Sequence, residues 1–153
     1  MNITIREATV GDTRSVAVLF DLYRQFYEQP ADLPRATAFI ADRINGNESV
    51  ILLASSLEAG LVGFCQLYPT FCSVESQPIY ALYDLFVLPI ARRSGVGKML
   101  LQAADTRGEI AARIGEAGND AAAPPKAHAG RSTVETGTTI AVKQSHMVQT
   151  RKY

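Results

Sequence analysis

Residues 80–101 read YALYDLFVLPIARRSGVGKMLL, and they restrict the possible folds more than any other stretch of the chain. Tyr80–Leu88 is aromatic, aliphatic and β-branched, the composition of a mostly buried strand. Pro89 stops it, because proline has no N–H for a ladder. Residues 92–97 (RRSGVG) form a tight basic turn, and Lys98–Leu101 begins a helix. A strand that passes through a glycine turn into a helix N-terminus creates an anion site. The first amides of the helix have no intrahelical acceptor, and the helix dipole favours negative charge there. Gly95 and Gly97 lack a Cβ, so a phosphate can approach the backbone of Val96 and its neighbours. Arg92 and Arg93 add positive charge at the rim. A P-loop does not fit. Lys98 is followed by Met99 rather than Ser or Thr, and Arg92 holds the leading-glycine position.

Taken from the start, Ile3, Ile5 and Ala8 suit a short strand, and Gly11-Asp12 a turn with Asp12 as an N-cap. Val16, Leu19, Phe20, Tyr23, Phe26 and Tyr27 then recur at helical spacing, one face of an amphipathic helix that Pro30 ends. These aromatic residues suit a core or a pocket wall. Asp32 caps a second helix with Ala36, Phe39, Ile40 and Ile44 on its buried face, and Asn45-Gly46 suits its C-terminal cap. Ser49–Ser55 and Leu61–Tyr68 form a strand pair around the turn at Glu58-Ala59-Gly60. Pro69–Pro78 is predicted as a loop carrying Phe71 and Cys72.

At 153 residues the chain suits one domain with a real core. Its fifteen basic and fifteen acidic side chains cancel, which argues against a nucleic-acid or polyanion surface. Two cysteines, Cys65 and Cys72, are too few for a disulfide framework. The start, MNITIREATV, has no basic, apolar leader, and no apolar run reaches membrane-spanning length. The expectation is a cytoplasmic protein with no membrane partner. His128 and His146 lack metal-ligand spacing, so no metal is expected, and no Ser/Cys/His set suggests a nucleophilic triad.

The composition breaks after Ala104. Residues 1–104 contain thirteen Leu and six Phe, and residues 105–153 contain neither. Such a segment offers little apolar surface against its chain entropy, so it is expected to be irregular or poorly ordered. Val134–Lys143 has some strand character.

The turn RRSGVG fits the (Gln/Arg)-x-x-Gly-x-(Gly/Ala) pyrophosphate loop and thereby resembles the GNAT acetyltransferases. LYDLFV before it is similar to the fourth strand of that family. The resemblance covers roughly residues 3–104, taken as an acetyl-CoA-binding core, with 105–153 an atypical segment. It implies an α/β (α+β) fold in the order β-α-α-β-β-β-α, with a mostly antiparallel central sheet flanked by helices. It implies acetyl-CoA as cosubstrate, its pyrophosphate on Arg92, Arg93, Ser94, Gly95, Val96, Gly97 and Lys98. Its pantetheine arm would run along Phe86, Val87 and Leu88, with the Val87 or Leu88 amide polarising the thioester carbonyl. The implied reaction is direct attack by a primary amine of a small molecule or peptide in a ternary complex. Relatives often dimerise, so a homodimer is also implied.

Asp84 interrupts an otherwise apolar strand, and a buried carboxylate is costly unless it is used or paired. It has two readings of equal weight. As a general base it would take the amine's proton; as structure it would accept hydrogen bonds from a loop or helix end. ALYDLFV is also similar to the YLEDFFV stretch of spermidine/diamine acetyltransferases, but Tyr83 replaces the Glu, which argues against a polyamine. Asp21, Glu28 and Glu75 could attract a cationic amine, although solvated surface is the plainer reading of each. In relatives a tyrosine after the fifth strand protonates the leaving thiolate, and nothing in residues 105–153 matches that motif. Weak turnover, a non-catalytic CoA-binding module or a damaged gene product follow as alternatives. A coding-frame slip would produce such a break: Ile114–Asp120 can be encoded so that the frame one base later reads SARLEMT, which is strand-like. The DNA sequence tests that idea.

Overall fold

The structure, a computed structural model, describes residues 2–73, 76–116 and 141–142. The elements are β1 (Ile3–Glu7), α1 (Thr13–Phe26), α2 (Leu33–Asn45), β2 (Val50–Ser56), β3 (Gly60–Cys72), β4 (Gln77–Val87), α3 (Val96–Glu116) and β5 (Ala141–Val142). Short 3₁₀ turns precede α1 at Val10–Asp12 and follow β4 at Pro89–Ala91. The sheet order is β1-β2-β3-β4-β5. The first four strands are antiparallel, and β5 lies parallel to β4 beside Ala81 and Leu82. The predicted element order and mostly antiparallel sheet are therefore present.

β2 explains the layering. Val50, Leu52 and Ala54 pack with Val96, Leu100 and Ala104 of α3. The alternate residues Ile51 and Leu53 pack with Val16, Leu19 and Phe20 of α1 and with Ala36 and Ile40 of α2. A strand covered on both faces reads as a continuous apolar run, as this one does.

Two register shifts change which residues face which layer. In β3, Gly63 pairs with Ala54 but Leu61 with Ser55, so Val62 is extra. In β4, Gln66 pairs with Asp84 but Leu67 with Leu82, so Tyr83 is extra. Each bulge reverses the inward-outward phase of its strand. Leu82 accordingly belongs to the α3 layer, whereas Phe86 belongs to the α1/α2 layer.

Several local expectations change. The predicted loop at 69–78 is largely strand: Pro69 pairs with Tyr80, Thr70 with Ile79, Phe71 with Pro78 and Cys72 with Gln77. A proline keeps its place in a ladder where its nitrogen faces away from the partner strand. The two proline pairs are two residues apart and so share that orientation. On α1, Val16 and Leu19 are buried, but Phe26 and Tyr27 emerge beyond the sheet and are exposed. Glu28, at φ 62°, ends the helix before Pro30 is reached. Asp32 caps α2 as expected by accepting from Arg35 N at 3.0 Å. The left-handed residue after α2 is Asn47 rather than Gly46. α3 runs on past Ala104 to Glu116, because Ala, Arg and Glu favour a helix without Leu or Phe. Glu75, His128, His146 and the predicted strand outside Ala141–Val142 lie outside the described residues.

Asp12 occupies the N-cap of α1 but turns back toward β1. Its carboxylate accepts from Arg6 Nη2 at 2.6 Å, Arg6 Nη1 at 2.8 Å, and Thr9 N and Oγ1 at 2.8 Å each. The Arg6 hydrogen bonds hold this carboxyl well below the usual carboxylate range. A lowered folded-state value contributes stability above the unfolded value of about 4, and the contribution is lost as pH falls below it. Arg6 is 45% exposed, so solvent screens the pair. Asp12→Ala should cost about 1–2 kcal/mol at pH 7 and flatten the acid side of the stability profile below about pH 4. Urea melts across pH check this. At Gly63 a Cβ would lie 2.8 Å from the backbone oxygen of Phe86. Gly63→Ala should therefore push β3 from β4 and destabilise by about 1–3 kcal/mol, read as a lower Tm.

Candidate functional site

β4 carries the site. Among the described residues β5 pairs only with Ala81 and Leu82, so the edge beyond Tyr83 has no neighbouring strand there. Backbone direction along that edge follows from one bond: Leu88 N–H donates to Val62 O at 2.8 Å. Antiparallel pairs alternate, so the Gly63–Val87 and Cys65–Leu85 pairs turn their N–H and C=O groups outward. Of the three residues expected to offer an edge, Phe86 and Leu88 therefore direct their backbone toward β3. Val87 faces the open side, and Leu85 joins it. The ladder phase shows in the Leu88–Val62 bond; it depends on pairing with β3 and leaves no trace in the sequence of β4.

Val87 O accepts from Arg92 Nε at 3.0 Å. The Arg92 guanidinium lies 5.5 Å from the Phe26 ring centre and 5.9 Å from that of Phe86. The chain turns sharply after it. Arg93 is left-handed at φ 64°, Gly95 at φ 85°, and Ser94 Oγ donates to Ala91 O at 2.6 Å. Met99 N donates to Gly95 O at 3.0 Å, which makes Gly95 the first acceptor of α3. The amides of Val96, Gly97 and Lys98 occupy the first turn, where no intrahelical acceptor exists. No atom lies within 4 Å of a Cβ built on Gly95, and Val87 Cγ2 is the nearest to one on Gly97, at 4.0 Å. The open edge of β4 and an uncovered set of helix-start amides are thus contiguous. This cradle has the donors and the clearance that a pyrophosphate needs.

Asp84 is half-buried on the α1/α2 face. Its Oδ1 accepts from Tyr23 Oη at 2.8 Å, and its Oδ2 from Gln66 Nε2 at 2.9 Å. Gln66 Nε2 also donates to Tyr68 Oη at 2.8 Å, and Ser49 Oγ donates to Gln66 Oε1 at 3.0 Å. Burial, then the Asp84 charge, pushes the Tyr23 phenol far above its ordinary value and Tyr68 up to about 12. Tyr23 meets Phe64 and Phe86 edge-on, with ring centres 5.8 and 6.2 Å apart. Tyr68 meets Tyr83 at 5.1 Å. The sequence does not single out Gln66 and Tyr23 as partners of Asp84, nor Ser49 as the partner of Gln66. Gln66, a polar residue in the apolar run LVGFCQLY, was the signal that could have found the pairing.

Asp21 belongs elsewhere. It is 6% exposed and accepts from Asp32 N, Arg24 Nη1 and Gln25 Nε2 at 2.9–3.0 Å, which locks the α1–α2 connection. Neither the solvated-surface nor the amine-attracting reading of Asp21 survives that burial. Burial pushes the Cys65 thiol up to about 12, so it stays a small apolar residue. Among the described residues no helix is long and apolar enough to cross a membrane.

The sequence model of the acetyltransferase (GNAT) family matches residues 16–122. The chain belongs to that family. It is 49% identical over 102 residues to the uncharacterized N-acetyltransferase YhfO of Bacillus subtilis, covering 67% of this chain and 68% of that one. A crystal structure of a probable acetyltransferase superposes with a TM-score of 0.63 at 29% identity, over 84% of this chain and all of the other. A predicted acetyltransferase from Clostridium acetobutylicum, solved with acetyl-CoA, shares the fold: TM-score 0.59, 12% identity, 72% of this chain and 76% of that one. GNAT proteins transfer acetyl groups from acetyl-CoA, and this chain is an N-acetyltransferase by family.

The two loop glycines should respond differently. Gly95→Ala must hold φ 85° and should cost about 1 kcal/mol. Gly97→Ala meets only ordinary contact on a helix and should be neutral or slightly stabilising. Paired thermal melts check the contrast.

Proposed function

We propose that this GNAT protein acetylates a primary amine of a small molecule or peptide, using acetyl-CoA in a ternary complex. The observation that carries this reading is the alignment along one strand. Asp84, the outward amide of Val87 and the helix-start amides of α3 follow one another along β4 and into its turn.

Acetyl-CoA supplies an activated acetyl thioester. The amides of Val96, Gly97 and Lys98 bind the pyrophosphate, and Arg92 and Arg93 neutralise its charge. The outward N–H and C=O groups of Leu85 and Val87 accept the pantetheine arm as an added strand. Arg92 leaves Val87 O when that arm binds, and its charge turns to the phosphates. The Val87 N–H donates to the carbonyl oxygen as negative charge develops there. Asp84 accepts the proton from the attacking nitrogen, directly or through one water, as the N–C bond forms; the thioester C–S bond then breaks and CoA leaves as the thiolate, which takes its proton from solvent. Holding amine and thioester in one cleft removes the entropy cost of their encounter.

One observation favours a second reading, binding without turnover. Residues 105–153 lack Leu and Phe and hold no match to the family's thiolate-protonating tyrosine.

The test is a thermal melt with millimolar acetyl-CoA, followed by release of free CoA thiol across a panel of amines. Acetyl-CoA at 100 times its Kd adds about 2.7 kcal/mol, several degrees of Tm. The expected result is an upward shift together with amine-dependent thiol release. Asp84→Asn should keep the shift and lose about 10²–10⁴-fold in rate. A shift with no thiol release for any amine supports the second reading. No shift removes the cofactor assignment, and no cooperative melt at all points to a damaged gene product.

A further inference from the structure

We propose that Tyr23 and Gln66 are positioning residues for acetyl transfer: together they fix the direction of the Asp84 carboxylate. This rests on the reading of Asp84 as the proton acceptor.

The carboxylate fixes the directions in the cluster, because an ionised carboxylate only accepts. With Gln66 Nε2 turned to Asp84, Gln66 Oε1 accepts from Ser49 Oγ at 3.0 Å. Gln66 Nε2 then directs one hydrogen to Asp84 Oδ2 and the other to Tyr68 Oη. Turned over, the amide would set its oxygen against the carboxylate. Gln66 is fully buried, so water does not compete for these bonds. Tyr23 has no acceptor role toward a carboxylate; its hydroxyl donates to Asp84 Oδ1 at 2.8 Å. The two donors come from different layers, Gln66 from β3 and Tyr23 from α1. Each takes one acceptor site on one oxygen. A carboxylate has about four, so capacity remains for an incoming amine.

The titratable groups facing Asp84 are Tyr23 from α1 and Tyr68 from β3, with Tyr83 its neighbour on β4 and Cys65 close enough to feel its charge. Tyr23, Tyr68 and Cys65 are all pushed upward, so they stay neutral in an acidic assay.

The experiment compares wild type, Tyr23→Phe, Ser49→Ala and Asp84→Asn by kcat and KM, with melts on each. Ser49→Ala reaches Asp84 only through the orientation of Gln66 and serves if Tyr23→Phe folds poorly. Tyr23→Phe should keep the KM for acetyl-CoA and lose roughly tenfold in kcat. Ser49→Ala should lose less kcat, again at unchanged KM. Wild-type kcat in both variants, with Asp84→Asn inactive, would overturn the proposal and leave the proton-acceptor reading standing. Full activity in Asp84→Asn would remove that reading, and this inference with it.

Discussion

Tyr83 has no counterpart on β3, and the two strands resume pairing one residue out of step. Without that extra residue, Asp84 would lie on the same face as Leu82, against the apolar layer of α3. An ionised group there would have no donor and would cost several kcal/mol. The bulge instead turns it toward Tyr23 and Gln66. Among the described residues it also follows directly on the last β5 pairing, at Leu82. One inserted residue therefore turns the carboxylate toward its two donors.

Val62, extra against β2, marks the other half of the site. Its carbonyl oxygen accepts from Leu88 N, so Leu88 bonds inward and Val87 faces out. Gly63 next to it allows the backbones of β3 and β4 to come together where the edge is exposed. Beyond Tyr83, β4 thus turns the backbone groups of Leu85 and Val87 outward. The helix-start amides of α3 continue the same arrangement. All of these groups are main chain, so side-chain substitution can tune the site but cannot easily erase it.

Much of this was legible in the sequence. Helical spacing identified Val16, Leu19, Phe20, Ala36 and Ile40 because burial on one face leaves a 3.6-residue trace. The turn RRSGVG was legible because glycine holds a left-handed angle such as φ 85° at Gly95 without the cost a side chain adds. What escaped depends on partners distant in sequence. Asp21 looked like surface because its burial relies on the amide of Asp32, and charge alone does not announce a donor. The bulges leave no signal, since an extra residue only breaks an alternation that apolar strands do not display. Pro69 and Pro78 resembled loop punctuation, yet both sit where a nitrogen needs no hydrogen. The helix beyond Ala104 was missed because the loss of Leu and Phe drew more weight than Ala, Arg and Glu.

Those two prolines matter beyond their own strands. The ends of β3 and β4 project as a two-stranded arm past Leu67, where β2 pairing stops, and before Ala81, where β5 pairing begins. Among the described residues no further strand flanks this arm, and Phe71 on it is 78% exposed. That combination would ordinarily invite a neighbouring chain to add a strand. Pro69 removes one donor from one margin and Pro78 one from the other, so each margin is a poorer template for an added strand.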